Sequence, residues 1–388
     1  MQQWLSSMAR TAIVIGAGLG GLSAAIALTR VGYKVEVYER APELKEVGAG
    51  IVLYPNAINA LKKLGVYDAV AAAGSFGRHG KYMTSKGETL VEMDLMDVGL
   101  DKESIAIHRA DLQHALADKL GREKIHLGMP LTSFEDNGRV TAHFPGGSFA
   151  SADLLVGADG LHSVVRRQYL KDGDPQYANC FAWRGVVTGE FEGLPAESGL
   201  LIFGAGLQFG AMHIGQGRVY WFGAVADKKG AQGRTKKRDV LERFQNWTTP
   251  VPQLINATPE EALLTHDLYD RKPTYNWGHG AITLLGDAAH PMVPYMGQGG
   301  CQALEDSIAL GASMKEPPSI AAGLRKYENL RKQRTANFVI QSRRSMNASM
   351  TRNSLFISIR DFIFGKIPSK VLLKNLHTLS NYDQPDLD

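Results

Sequence analysis

Apolar and polar positions change their period several times along this chain, and the first changes predict a strand, a helix and a second strand. Thr11 to Gly16 is a short β-branched run, the pattern of a strand buried on both faces. Leu22 to Arg30 places apolar residues at helical spacing among strong helix formers, and Gly32 stops the helix. Lys34 to Glu39 alternates like a second strand and ends on an acid. The pattern returns later. Ala152 to Arg166 reads as strand, turn and helix around Ala158-Asp159-Gly160, and Ala281 to Pro291 reads as strand, glycine and acid around Gly286-Asp287. Between them, Cys180–Val187, Gly199–Phe203 and Arg218–Val225 alternate with period two, which predicts sheet strands with one face toward a ligand.

The turns between these elements carry the chemistry. Gly16-Ala17-Gly18-Leu19-Gly20-Gly21 joins the first strand to the first helix. Gly16 permits the tight turn, Gly18 lets backbone approach a pyrophosphate, and Gly21 lets helix pack on strand. The helix N-terminus adds free N–H groups for the phosphates. Glu39, followed by Arg40, stands where an acid accepts hydrogen bonds from an adenosine ribose. No second fingerprint of this kind occurs, so one dinucleotide is expected to be held tightly. The segment from Val47 to Ala57 includes Gly50, where backbone can pass close to a ligand, and Asn56 is expected to cap the helix carrying Leu61 and Leu64; an ordinary loop is the plain alternative. Arg109 opens a helical run, in reach of a phosphate or a flavin edge, or else simply solvated. Asp159 ends a buried strand, a costly place for an acid unless it is bonded, either as a functional group or as a helix cap. Asp287 is a candidate for a ribityl or ribose hydroxyl. Pro294 then leads through Gly297, Gly299 and Gly300 into a helix whose N–H groups suit negative charge on a reduced flavin.

Composition narrows the class. The 388 residues are 44% hydrophobic and 21% charged, ordinary for a soluble protein of two or three domains. A net charge of +4 makes no case for nucleic acid. Two cysteines, Cys180 and Cys301, give no disulfide framework, which fits a reducing, cytoplasmic setting. Residues 1–10 lack the apolar region of a signal peptide, and no run is long enough to span a membrane. From Leu324 to Asn375 the chain is rich in Arg and Lys, with Glu328 and Asp361 nearly the only acids, and apolar residues cluster between Leu355 and Phe364. Such a helix can lie on an anionic membrane. The preferred expectation is that it packs its apolar side on the protein and turns its charges to water.

With these motifs in order, the chain resembles the single-component FAD-dependent aromatic hydroxylases, the group of p-hydroxybenzoate, salicylate, 6-hydroxynicotinate and urate hydroxylases, and it is also similar to alkylquinolone hydroxylases and zeaxanthin epoxidases. The resemblance runs from about residue 11 to about 345 and rests on Gly16, Gly18, Gly21, Glu39, Arg109, Asp159-Gly160, Gly286-Asp287, Pro294 and Gly297 to Gly300. It implies an α/β fold: a Rossmann-like FAD-binding domain with a mixed central sheet, an antiparallel-sheet substrate domain and a C-terminal helical segment. The expected division is 1–75, 101–178 and 278–345 for the discontinuous FAD domain, 76–100 and 179–277 for the substrate domain, and 346–388 for the C-terminal segment. It further implies tight, non-covalent FAD, transient NADH or NADPH, and O2, with oxygen delivered to an aromatic ring through a flavin C4a-hydroperoxide. No metal is required.

The catalytic candidates are Tyr220 and Gln208 on the sheet and His290 as a polar neighbour of the flavin, a structural histidine being its alternative. Val52, Tyr54, Phe203, Met212, Phe222 and Met296 are the expected pocket walls. From Gly199 to Ala226 the basic side chains are His213 and Arg218, and Arg218 sits at a Gly-Gln-Gly turn where it is expected to face solvent. A small aromatic carboxylate needs a buried cation to offset its desolvation. Arg184 can serve, or can make an outward ion pair. The expectation is therefore a neutral or largely apolar aromatic or heteroaromatic substrate. The competing readings are an epoxidase or hydroxylase of a larger lipophilic isoprenoid or quinolone, and a non-catalytic FAD-fold binding protein like the GDP-dissociation inhibitors. The sequence leaves the oligomeric state open.

Overall fold

The fold follows from the periodicities. A computed structural model of the chain describes residues 10–44, 49–98, 104–230, 234, 236–380 and 382–387. Strand β1 (Thr11–Ile15), helix α1 (Leu19–Arg30) and strand β2 (Lys34–Tyr38) make the opening βαβ unit. Helix α1 begins three residues before its apolar periodicity, because Gly20 and Gly21 let its first turn sit against neighbours. A Cβ on Gly21 would lie 1.9 Å from the Gly16 carbonyl oxygen, and one on Gly20 would lie 2.8 Å from Leu285. The chain then runs through β3 (Gly50–Leu53), α2 (Pro55–Leu64), β4 (His79–Thr84), β5 (Thr89–Asp94), β6 (Ile105–His108), α3 (Arg109–Leu120) and β7 (Ile125–His126). Strand β8 (Leu154–Gly157) and helix α4 (Val164–Leu170) repeat the strand–turn–helix pattern.

The next strands are β9 (Gln176–Thr188), β10 (Ser198–Phe203), β11 (Leu207–His213), β12 (Arg218–Ala226) and β13 (Leu264–Asp270), with helices α5 (Lys237–Phe244) and α6 (Val251–Ala257) between the last two. Strand β14 (Ile282–Leu284) returns to the first sheet, followed by α7 (Gly299–Met314), α8 (Ile320–Ser349), α9 (Ser354–Lys366) and α10 (Ser369–Ser380).

Two principal sheets result. The first is parallel, in the order β14-β8-β1-β2-β7; β1, β8 and β14 are buried as their continuous apolar runs require, while β2 alternates. The second has seven strands, β13-β9-β12-β11-β10-β4-β5, antiparallel except where β10 and β4 run side by side. A smaller sheet joins β3 to β6. Period two decides what each face of the large sheet does. Trp183, Trp221, Phe209 and Ile202 point one way and bury against Val240, Phe244 and Leu254 of α5 and α6. Tyr220, Phe222, Met212 and Gln208 point the other way, toward the nucleotide half. An ion pair between Arg218 and Asp111 of α3 ties the two halves together, so Arg218 is turned inward rather than to solvent. Among the described residues no helix is long and apolar enough to cross a membrane.

Candidate active site

The glycine turns surround a groove between the two sheets. Gly16 adopts φ +104°, a conformation glycine takes without strain, and its missing Cβ would meet Ala158 O at 2.5 Å. The first and third fingerprint glycines are thus closed off by protein. Gly18 is different: a Cβ there would meet no protein atom within 4 Å, and the same is true of Gly160 at φ +77°. Two of the glycine turns therefore open onto free space, a cradle that a dinucleotide can fill. Glu39 braces it. Its Oε2 accepts from the Ala17 N–H at 2.7 Å and its Oε1 from Ala41 N–H at 2.9 Å, while Arg40 is exposed beside it.

Asp159 accepts from Ser163 Oγ at 2.5 Å and from Val164 N–H at 2.6 Å, so its carboxylate is occupied at the first turn of α4. Burial pushes its pKa up, against these hydrogen bonds. Asp287 differs, being exposed in a stretch from Thr283 to His290 that is otherwise buried. It faces the start of α7, where a Cβ on Gly299 would lie 3.8 Å from its Oδ1. Pro294 opens a short 3-10 turn that ends on Gly297 at φ +63°. A Cβ on Gly300 would lie 2.6 Å from Ile51 Cδ1, which presses the N-terminus of α7 onto β3. Val47 and Gly48 of the earlier glycine segment lie outside the described residues.

The large sheet closes over this groove. Gly50 of β3 would place a Cβ 2.5 Å from Tyr220 Cδ1, so the tyrosine ring lies directly on the β3 backbone. Val52, Met212 and Phe222 pack around the same point. Tyr54 sits on the Gly297 turn, its Cε2 3.0 Å from where a Cβ would stand, and burial raises its pKa. Met296, half-buried, belongs to the same turn. Four expected site residues of the sheet thus share one face, and Val52, Tyr54 and Met296 approach it from the nucleotide side. Phe203 shares the face but ends at its far edge, stacked on Phe364 of α9 at 5.4 Å.

Polar groups on this face are few. Gln208 lies among them and is 4% exposed. Burial pushes the Tyr220 hydroxyl up in pKa, while the Arg184 and Arg109 charges pull it down less strongly. Tyr220 therefore remains a neutral hydroxyl at working pH. Arg184 lies on the same face, cross-strand from Phe222, and makes no ion pair with any described acid. Of the two readings of Arg184, the outward ion pair is not formed with any described acid. His266, on the edge strand β13 opposite Ala182, is exposed at its surface, and partial desolvation followed by the Arg184 and Arg109 charges lowers its pKa. Sequence reading missed His266, because its strand was not identified; the alternation from Leu264 to Leu268 was the available signal.

His290 is not brought to this face. Its Nε2 meets Asp306 Oδ2 at 2.6 Å and its ring lies 5.4 Å from Trp277. It belongs to a buried network beneath α7, where Arg331 donates to Asp306 Oδ1 at 2.7 Å and to Gln302 Oε1 at 2.6 Å and pairs with Glu305. Asn56 joins this network through Gln298 at 3.0 Å, while Tyr54 occupies the position before α2 in which Asn56 was expected as a cap. The network fixes the helix whose N-terminus meets the groove.

Comparison with known proteins agrees with this geometry. The family described as FAD binding domain matches residues 9–342. The aurachin C monooxygenase/isomerase of Stigmatella aurantiaca is 38% identical over 356 residues, covering 90% of this chain and 92% of that protein. The FAD-dependent urate hydroxylase of Klebsiella pneumoniae is 36% identical over 341 residues, covering 86% and 88%. The crystal structure of Klebsiella pneumoniae HpxO complexed with FAD and uric acid superimposes with a TM-score of 0.91 at 32% identity, covering 96% of each chain.

Proposed function

The chain belongs to the FAD binding domain family and is a flavoprotein monooxygenase, and from that premise we propose that it uses NAD(P)H and O2 to hydroxylate a largely apolar aromatic or heteroaromatic ring. When bound, FAD would supply the redox chemistry for which NAD(P)H is the reductant and O2 the oxygen source, with water as the second product. Gly16, Gly18 and Gly21 form the turn that receives the pyrophosphate, with α1 directing its first N–H groups there. Glu39, Arg109, Asp159-Gly160 and Asp287 stand around the groove for the remaining cofactor contacts. The N–H groups of Gly299 and Gly300 favour negative charge at the start of α7. The Tyr220 ring lies on the β3 backbone at Gly50, and the apolar wall of Val52, Met212 and Phe222 excludes water from the reacting ring.

The observation that carries this reading is the largely apolar face on which Tyr220, Met212 and Phe222 meet Val52 over the Gly50 backbone. Gln208, 4% exposed on the same face, can offer amide N–H donors and a carbonyl acceptor to a polar ring edge, the recognition a hydroxylated or lactam-like heteroaromatic needs. Arg184 suits an oxygen of that ring carrying partial negative charge. The test is substrate-stimulated NAD(P)H consumption coupled to product carrying label from 18O2. Neutral phenols and quinolones are expected to stimulate more strongly than benzoate-like acids, and Gln208→Leu is expected to raise KM about tenfold or more with kcat less affected. Stronger stimulation by the acids, or an unchanged KM, refutes the assignment. A second reading, oxygenation of a larger lipophilic isoprenoid or quinolone, is favoured by the outward apolar side of α9. The expected setting is the cytoplasm.

A further inference from the structure

We propose that α9 is a membrane-surface helix that seats the protein on an anionic bilayer beside the substrate-facing side of the large sheet. Leu355 is 66% exposed, Phe356 59% and Phe362 66%, and Ile359 and Ile363 are exposed with them. At about 100° per residue these five side chains fall within an arc of roughly 120°, a continuous apolar stripe over three turns. The expectation that this helix would bury its apolar side is thereby reversed.

The stripe does not arise because the helix is loose. Its opposite side is anchored: buried Arg360 donates to Ser349 O at 3.1 Å and lies 5.1 Å above the Phe203 ring. Phe364 stacks on Phe203 and meets Tyr82 edge-on at 5.7 Å. Helix α9 thus holds the far edge of the face that carries Gln208 and Met212, with its own apolar side turned outward.

Charge selects the occupant. From Arg343 to Lys374 there are seven Lys or Arg residues and one acid, Asp361, and Arg360 takes that acid at 2.8 Å. Arg352 is exposed just before the stripe, and Lys366 and Lys370 just after it. Cations at both ends of an apolar stripe match a leaflet surface, acyl chains beneath the ring of side chains and anionic phosphates at the margins. A second copy of the chain fits less well. The stripe offers roughly 500 Å², short of the about 800 Å² per partner of a stable interface, and pairing two such helices brings like charges together. A helix of 13 residues is also too short to span, so it lies in the plane of the surface. Delivery of lipophilic substrate from the bilayer to the nearby sheet face rests on the function proposed above; the docking itself does not.

The test uses full-length, FAD-loaded protein with vesicles of phosphatidylglycerol and phosphatidylcholine in equal parts, and with phosphatidylcholine alone. Cosedimentation with the anionic vesicles is expected, with binding at least about tenfold weaker to the neutral ones. Phe356→Asp with Phe362→Asp is expected to keep the flavin spectrum and melting temperature while lowering anionic-vesicle binding by about tenfold or more. Lys366→Glu with Lys370→Glu is expected to remove the preference for phosphatidylglycerol. Three results overturn the proposal: no binding of the unaltered protein to anionic vesicles, equal binding by the aspartate variant, or a concentration-dependent dimer that the aspartate variant abolishes. Turnover of a water-soluble aromatic is measured in parallel. Its absence counts against the enzymatic reading and leaves vesicle binding to decide the docking.

Discussion

Gly18 and Gly21 stand three residues apart in one turn, yet alanine at the two positions is expected to fail in different ways. At Gly21 the new Cβ would sit 1.9 Å from the Gly16 carbonyl oxygen, a distance real Cβ contacts essentially never show. Backbone cannot swing aside as a side chain can, so α1 must lift from β1 by about 1 Å or more. That disturbs the packing of Leu22 and Ala25, both fully buried. Overpacking of this kind costs about 1–3 kcal/mol. With an unfolding entropy of roughly 2.1 cal/mol/K per residue, a chain of this length loses about 1–4 °C in Tm. At Gly18 the backbone angles, φ −71° and ψ −180°, are open to any residue, and no protein atom lies within 4 Å of the added methyl. Folding of the apoprotein is therefore expected to be unchanged, while the methyl occupies the place where backbone meets pyrophosphate. A loss of at least about tenfold in FAD affinity, 1.4 kcal/mol, follows. The assay pairs thermal melts of the apoproteins with FAD titration by flavin fluorescence. Wild-type FAD affinity in Gly18→Ala refutes the assignment of this turn to the cofactor, and equal destabilisation of both apoproteins refutes the claim that the space at Gly18 is kept for a ligand.

Two further outcomes test the surroundings of the groove. Arg331→Met leaves Glu305 and Asp306 fully buried without their principal cation, which is expected to cost about 3–5 kcal/mol in urea unfolding at pH 7. Burial raises both carboxyl pKa values, but Arg331, joined by His290 at Asp306 and Arg334 at Glu305, holds them below their ordinary range. Groups depressed in the fold stabilise it above their unfolded pKa values and lose that contribution as pH falls through the folded ones, so the deficit of the variant should narrow on acidification below about pH 4.5; a deficit that widens contradicts the network. Cys180 and Cys301 are buried, with burial raising their thiol pKa values to about 11 and about 12. Neither should react with iodoacetamide at pH 8 until the chain unfolds, and rapid alkylation of native protein with loss of activity would show one of them exposed.

What the sequence revealed divides along physical lines. The opening unit was legible because Gly16, Gly18, Gly21 and the strand-ending Glu39 are close in sequence and each answers to a local demand of turn, approach or packing. The shared face of Gln208, Met212, Tyr220 and Phe222 was legible for a similar reason: a strand alternates with period two, so parity alone assigns a side. Contacts between distant segments leave no such trace. Arg218 looked like a turn residue, and only the docking of β12 on α3 brings Asp111 to it. His290 could be read as a flavin neighbour or as a structural histidine, and only the approach of Asp306, itself held by Arg331, under α7 decides for the second. Helix α9 shows the limit most clearly. Its amphipathic spacing announces two unlike sides but not which side turns inward. That is settled by what the sheet edge offers, namely a notch between Phe203 and Tyr82 that one aromatic ring fills. Phe364 takes it, and Arg360 closes over Phe203, bonded to Ser349 and Asp361. With the anchor fixed on that side, the helical repeat leaves Leu355, Phe356, Ile359, Phe362 and Ile363 no direction but outward.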